Sequence, residues 1–97
     1  MLLEAEGYDV VGEAPDGSTA ITETCRLHPA LGRLDVTLPD LDGFQVAERI
    51  TAHVGAPAVV LTSSRDSSDF GPLVSGSGAR GFISKGDLSG AAIARLL

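Results

Sequence analysis

Tryptophan is absent, and aromatic residues amount to 4% of the 97-residue chain: Tyr8, Phe44, Phe70 and Phe82. So few rings make no stacking platform for single-stranded nucleic acid. Lysine is almost absent too, with Lys85 alone against six arginines. The net charge is −6 and no basic stripe appears, which argues against direct nucleic-acid binding, since phosphate contacts need clustered cations. Cys25 is the only cysteine, so no internal disulfide is possible, and with His28 and His53 it forms no zinc pattern. No apolar run approaches a membrane span. The opening Met1-Leu2-Leu3 meets Glu4 and Glu6 at once, unlike a secretory leader, so a cytoplasmic location is the expectation.

What is present suits one globular domain. Hydrophobic residues make up 43% and charged residues 21%. A single domain over residues 1–97, with no output domain, is expected. Apolar patterning alternates between strand and helix throughout. Tyr8–Gly12 is a short β-rich run, and Asp16 offers an N-cap to a helix carrying Ala20, Ile21, Thr24, Cys25 and Leu27. His28-Pro29 ends that helix. Leu31–Val36 reads as a strand, Leu38–Gly43 as a turn-rich loop. Phe44, Ala47, Ile50 and Val54 form the stripe of a helix opened by Asp42 or Gly43 and stopped by Gly55 and Pro57. Ala58–Thr62 is continuously apolar, as in a strand buried on both faces of a parallel sheet. Residues 65–78 are a poor helix, interrupted by Gly71, Pro72, Gly76 and Gly78. Gly81–Ser84 is a last short strand, and Asp87 is expected to cap a final helix with Leu88, Ala91, Ala92, Leu96 and Leu97.

Alternating β and α elements imply an α/β fold with a parallel sheet covered by helices. In such sheets ligands sit beyond the carboxyl ends of the strands. Asp35, Thr62 and Lys85 all fall at or just after such an end. A carboxylate can attack phosphorus and form an acyl phosphate. An ammonium and a hydroxyl would then serve the anionic phosphoryl group as charge and donor.

The segments LDVTLPDLDGF (34–44), VVLTSS (59–64) and GFISKGDLSG (81–90) resemble the three diagnostic segments of response-regulator receiver domains, the phospho-acceptor modules of two-component signalling. The resemblance runs from Leu2 to Leu97. It implies a flavodoxin-like doubly wound sheet of strand order 2-1-3-4-5. It also implies roles: Asp35 as phospho-acceptor, Thr62 as the switch hydroxyl, Lys85 as the phosphoryl-binding lysine and Phe82 as the aromatic switch position. Pro39 and Gly43 would shape the loop after the acceptor. Asp35 and the backbone carbonyl of Thr37 would be ligands of Mg²⁺. The partner implied is a sensor histidine kinase or a phosphotransfer protein.

Three departures qualify the resemblance. The family opens with an apolar strand ending in two metal-holding acids. Here Met1 falls inside what should be the first helix, so that strand and most of that helix are expected to be missing, leaving four strands. Glu4 and Glu6 match the helix end and do not replace the acids. Mg²⁺ would keep Asp35 and one carbonyl, a poor octahedral set. The gap would leave unpaired edges, to be closed by Tyr8–Gly12 pairing with Leu31–Val36 or by a homodimer. Second, Arg33 lies on the strand face of Asp35 and is expected to pair with it or a neighbouring acid. Third, Gly86 follows Lys85, where many relatives have proline.

Plainer readings stand beside these. Asp40 and Asp42 read as a turn and an N-cap rather than a calcium loop, and Cys25 as a buried small apolar residue. The leading function is a stand-alone receiver that accepts a phosphoryl group on Asp35 and signals by protein contact through a two-state segment, residues 63–82. It would not be an enzyme beyond self-catalysed transfer to Asp35. The alternative is a degenerate receiver acting as a binding or dimerisation module. A small α/β enzyme or ligand binder ranks below both, because no histidine base stands near Asp35 in the sequence and no cofactor fingerprint appears.

Overall fold

The apolar run beginning at Ala58 forms the strand that the rest of the fold packs around: Val59, Val60 and Leu61 are all 0% exposed. The structure, a computed structural model, describes residues 2–4, 10–63 and 71–97, with Leu2–Glu4, Val10 and Val11 described by their backbone alone. Its elements in chain order are β1 (Leu2–Glu4), β2 (Val10–Glu13), α1 (Gly17–Leu27), β3 (Leu31–Asp35), α2 (Gly43–Thr51), β4 (Ala58–Ser63), α3 (Gly71–Gly76), β5 (Gly81–Ser84) and α4 (Gly90–Leu96). A 3₁₀ turn, Lys85–Asp87, joins β5 to α4.

The five strands form one sheet of order β2-β1-β3-β4-β5. Strands β3, β4 and β5 are parallel, with Asp35 opposite Thr62 and Ser63 opposite Ser84. Side chains alternate across this sheet. On one face Leu34, Val36, Val59 and Leu61 pack with Ala20 of α1 and Val46, Ala47 and Ile50 of α2. On the other, Leu31, Val60 and Ile83 pack with Ile93 of α4.

The expected α/β sheet and its four strands are present. A fifth strand corrects the expectation at the N-terminus. Leu2–Glu4 is not the end of a helix; it occupies the place of the strand expected to be missing, between β2 and β3. It runs antiparallel to both neighbours, with Leu3 opposite Gly12 on one side and Gly32 on the other. The gap is thus closed within one chain. Neither Tyr8–Gly12 pairing directly with β3 nor a strand-edge homodimer is needed. The physical reason is the cost of unpaired backbone groups in mid-sheet. A tripeptide one short connection away from β2 satisfies them, and pairing overrides local helix preference.

The caps show why the helices start where they do. Asp16 accepts from the Thr19 N–H at 2.8 Å, and Asp42 from the Gln45 N–H at 2.8 Å. His28 ends α1 in the left-handed conformation, φ 48°. Three expectations need correction here. The final helix is capped by Ser89, whose hydroxyl accepts from Ala92; Asp87 lies in the 3₁₀ turn and accepts from the Ser84 hydroxyl. Helix α2 stops at Thr51, so Val54 lies beyond the apolar stripe and is fully exposed. Cys25 is exposed, because Ala20 and Thr24 take the inward face of α1. Of the weak helix expected over 65–78, residues 71–76 are helical, and 64–70 lie outside the described residues.

Candidate functional site

The parallel register brings the sequence candidates together at the carboxyl edge of the sheet. Asp35 ends β3, Thr62 sits beside it on β4, and Lys85 follows β5. Lys85 reaches back across the end of β4, its Nζ 3.1 Å from Asp35 Oδ1. That contact is an ion pair lying off the angle of a hydrogen bond, because Oδ1 is buried and has no hydrogen-bond partner among the described residues. Thr62 is 3% exposed, and its Oγ1 is likewise buried without a partner. Two buried oxygens lacking hydrogen bonds, side by side at a strand end, are a costly arrangement for a core. They suit a pocket whose remaining donors or acceptors come from a ligand.

The ammonium, not the guanidinium, is the partner of Asp35. Arg33 shares its strand face but makes no ion pair among the described residues, contrary to expectation. Two residues along a strand span about 6.6 Å, so Arg33 is displaced toward the middle of β3. Lys85 enters from beyond the strand ends, on the level of the carboxylate.

The loop after Asp35 is tightly folded. The Val36 N–H donates to the Thr62 carbonyl at 3.0 Å, and the Gly43 N–H to the Val36 carbonyl at 2.8 Å. Thr37 and Asp42 form a single backbone bridge across the loop. Gly43 is required here, since a Cβ would overlap the Asp35 carbonyl oxygen. Pro39 is exposed at the tip. Phe82 is half-buried against the cluster containing Leu61 and Val59, two residues before the site-side end of β5.

One contact beside the site escaped the sequence. Asp40, beside the exposed Pro39, accepts from the Gly17 N–H at 2.7 Å, the Ser18 N–H at 3.0 Å and the Ser18 hydroxyl at 2.8 Å. These bonds, the Ser18 hydroxyl first, lower its pKa from 3.8 to about 2. The local expectation of a turn residue was compatible with this position, but a partner more than twenty residues away leaves no trace in local spacing.

The fit for Mg²⁺ is poor. Among the described residues no three of His, Cys, Asp or Glu converge on a metal position. The reversal of β1 explains part of this. Its register places Glu4 opposite Leu31, at the far end of β3 from Asp35. Asp35 and the Thr37 carbonyl remain, short of an octahedral set. The Lys85 ammonium supplies the local positive charge instead.

Comparison with known proteins matches this architecture. The family model for the response regulator receiver domain covers residues 1–93. A putative transcriptional regulator of Pseudomonas aeruginosa is 32% identical over 85 residues, which are 88% of this chain and 41% of that protein. The transcriptional regulatory protein PdtaR of Mycobacterium tuberculosis is 47% identical over 68 residues, 67% of this chain and 33% of that protein. The chain therefore spans less than half the length of these two relatives. Among solved structures, a LuxR-family two-component response regulator from Aurantimonas sp. superposes with a TM-score of 0.80 at 29% identity, over 93% of this chain and 67% of that one. Among the described residues no helix is long and apolar enough to cross a membrane. The family model, the sheet order and the strand-end site agree: this chain belongs to the response regulator receiver domain family.

Proposed function

We propose that the chain accepts a phosphoryl group on Asp35 and passes the signal on through protein contacts. The observation that carries this is the meeting at one sheet edge of Asp35, its ion-pair partner Lys85 at 3.1 Å, and the buried Thr62 hydroxyl, which has no hydrogen-bond partner among the described residues. A carboxylate oxygen of Asp35 attacks the phosphorus of a donor. A new P–O bond forms as the bond to the leaving group breaks, and the leaving group departs with the electron pair. From a phosphohistidine the leaving group is the imidazole; from acetyl phosphate it is acetate. Lys85 holds negative charge on the phosphoryl oxygens, and the Thr62 hydroxyl donates to one of them. No step is assigned to a metal, since the described residues do not form its site.

The donor is a histidine kinase or phosphotransfer protein, in keeping with the family. A net charge of −6 with no clustered cations in the sequence argues against direct contact of this domain with a phosphate backbone. Transcriptional regulation is named for the relatives and is a property of those longer proteins. Phe82, opposite Leu61 on β5 and packed against the core, is the position through which occupancy of Thr62 would be felt there.

The poor metal site favours a second reading, a receiver that no longer takes phosphate and serves as a binding module. Intact mass after incubation with acetyl phosphate, with and without Mg²⁺, separates the two, with Asp35→Asn as control. A single phosphoryl adduct on the wild type and none on the variant supports the acceptor. No adduct on folded wild-type protein in either condition rejects it in favour of the binding module.

A further inference from the structure

We propose that Asp40 is a positioning residue of the acceptor site, fixing the loop 36–42 by seating its carboxylate on the first turn of α1. The inference rests on the reading of Asp35 as acceptor. The base of the loop is closed by its own backbone, through the Gly43-to-Val36 bond and the Thr37–Asp42 bridge. At its tip Thr37, Pro39, Asp40 and Asp42 are exposed, while Leu38 and Leu41 are partly buried against the core. At this tip Asp40 supplies the polar tether to another element, with its three bonds to Gly17 and Ser18.

The other side of the contact is shaped for it. Helix α1 already has an N-cap, Asp16, which takes the Thr19 N–H. Asp40 takes the Gly17 and Ser18 donors, which the cap leaves over. The two carboxylates divide the first turn between them, and both suit the positive end of the helix. Gly17 permits the approach: a Cβ there would lie 2.8 Å from Val46 Cγ2, 3.1 Å from Asp40 Oδ1 and 3.1 Å from the Leu41 Cβ. Val46, Leu41 and Asp40 thus crowd one small residue, and the loop, α1 and α2 meet there.

The consequence reaches Asp35 through a short, stiff path. Val36 is hydrogen-bonded to Thr62 on one side and to Gly43 on the other. A loop free to swing at its tip would strain those bonds and the backbone that carries the acceptor. Asp40 touches no reacting atom; it acts by holding the residues that follow Asp35.

The test compares Asp40→Ala, Asp40→Asn and Asp16→Ala with the wild type. Asp16→Ala removes the other cap of the same helix turn and is the control for lost helix stability alone. Two readouts are used on protein shown to be folded. The first is amide exchange of residues 37–41 together with the carboxyl carbon resonance of Asp35. Expected for Asp40→Ala is loop exchange faster by about tenfold or more and a displaced Asp35 resonance, neither seen in Asp16→Ala. The second is the initial rate of labelling by acetyl phosphate. It should fall about tenfold in Asp40→Ala, recover to within about threefold of wild type in Asp40→Asn, and stay unchanged in Asp16→Ala. Unchanged loop exchange and an unmoved Asp35 resonance in Asp40→Ala overturn the proposal. So does an equal fall in labelling in Asp16→Ala, which would show only helix destabilisation. Failure of the wild type to label rejects the acceptor reading separately, and Asp40 is then judged by the first readout.

Discussion

The two halves of the sheet are built on different terms. Strands β3, β4 and β5 are parallel, carry Leu34, Val59, Val60 and Leu61 at 0% exposure, and are covered on both faces by helices. Strands β1 and β2 form an antiparallel pair, and β1 has three residues wedged between neighbours that both run the opposite way. Everything the candidate site uses lies on the first half: Asp35, Thr62, Lys85 and the loop after β3. The second half closes the sheet but, by running backwards, brings its acid at Glu4 to the wrong end. A strand can fill its place within a sheet while its direction decides which side chains reach the site. A reversed strand fills the hydrogen-bonding gap and still leaves the electrostatic one.

The sharpest way to break this comparison is to open a cavity in the parallel half. Leu61→Ala removes a fully buried side chain from the centre of β4. It should cost about 2–5 kcal/mol of unfolding free energy, measured by denaturant titration with two probes. A loss below about 1 kcal/mol would mean that the parallel half is not the dominant core. The complementary test is Leu3→Pro, which deletes a ladder donor in mid-strand on β1. The cost should be smaller, about 1 kcal/mol. Amide protection should fall in β2 and persist in β4. If protection in β4 collapses together with β2, the halves are one cooperative unit and the distinction between them fails.

Most of the parallel half was legible in the sequence. Ala58–Thr62 announces a doubly buried strand because both pleat faces need apolar residues. The strand-end rule then gathers Asp35, Thr62 and Lys85 without any knowledge of packing, since each lies where a parallel strand stops. The caps at Asp16 and Asp42 were legible because N-capping is local. The remainder was hidden for one shared reason, that it depends on partners distant along the chain. Leu2–Glu4 becomes a strand only because β2 and β3 leave rows of unpaired groups beside it. Arg33, on the strand face of Asp35, was the expected partner of that carboxylate or a neighbouring acid, but the strand register puts the Lys85 ammonium at carboxylate level instead. Asp87 lost the role of cap to Ser89 because a 3₁₀ turn, fixed by the Ser84–Asp87 bond, precedes α4. Asp40 is the strongest case, since its three partners all belong to the start of α1.

The same distinction between local and distant partners gives the smallest predicted effect, a pH dependence. Asp40 has a folded-state pKa of about 2 against an ordinary 3.8, so below the ordinary value the unfolded chain binds the proton first. Its contribution to stability is therefore complete above pH 3.8 and is lost as pH falls through about 2. The stability difference between wild type and Asp40→Asn isolates this group from the other carboxylates, including Glu23, whose pKa is also lowered, by its hydrogen bond to Arg26. That difference should be level at neutral pH and shrink across the window from 3.8 to about 2. Because Asp40 is exposed, the effect should also weaken in high salt, where a solvated carboxylate at a helix terminus is screened. A difference that stays level to pH 2 would show that protonating Asp40 costs the fold nothing, and that the contacts with Gly17 and Ser18 do not depend on the carboxylate's charge.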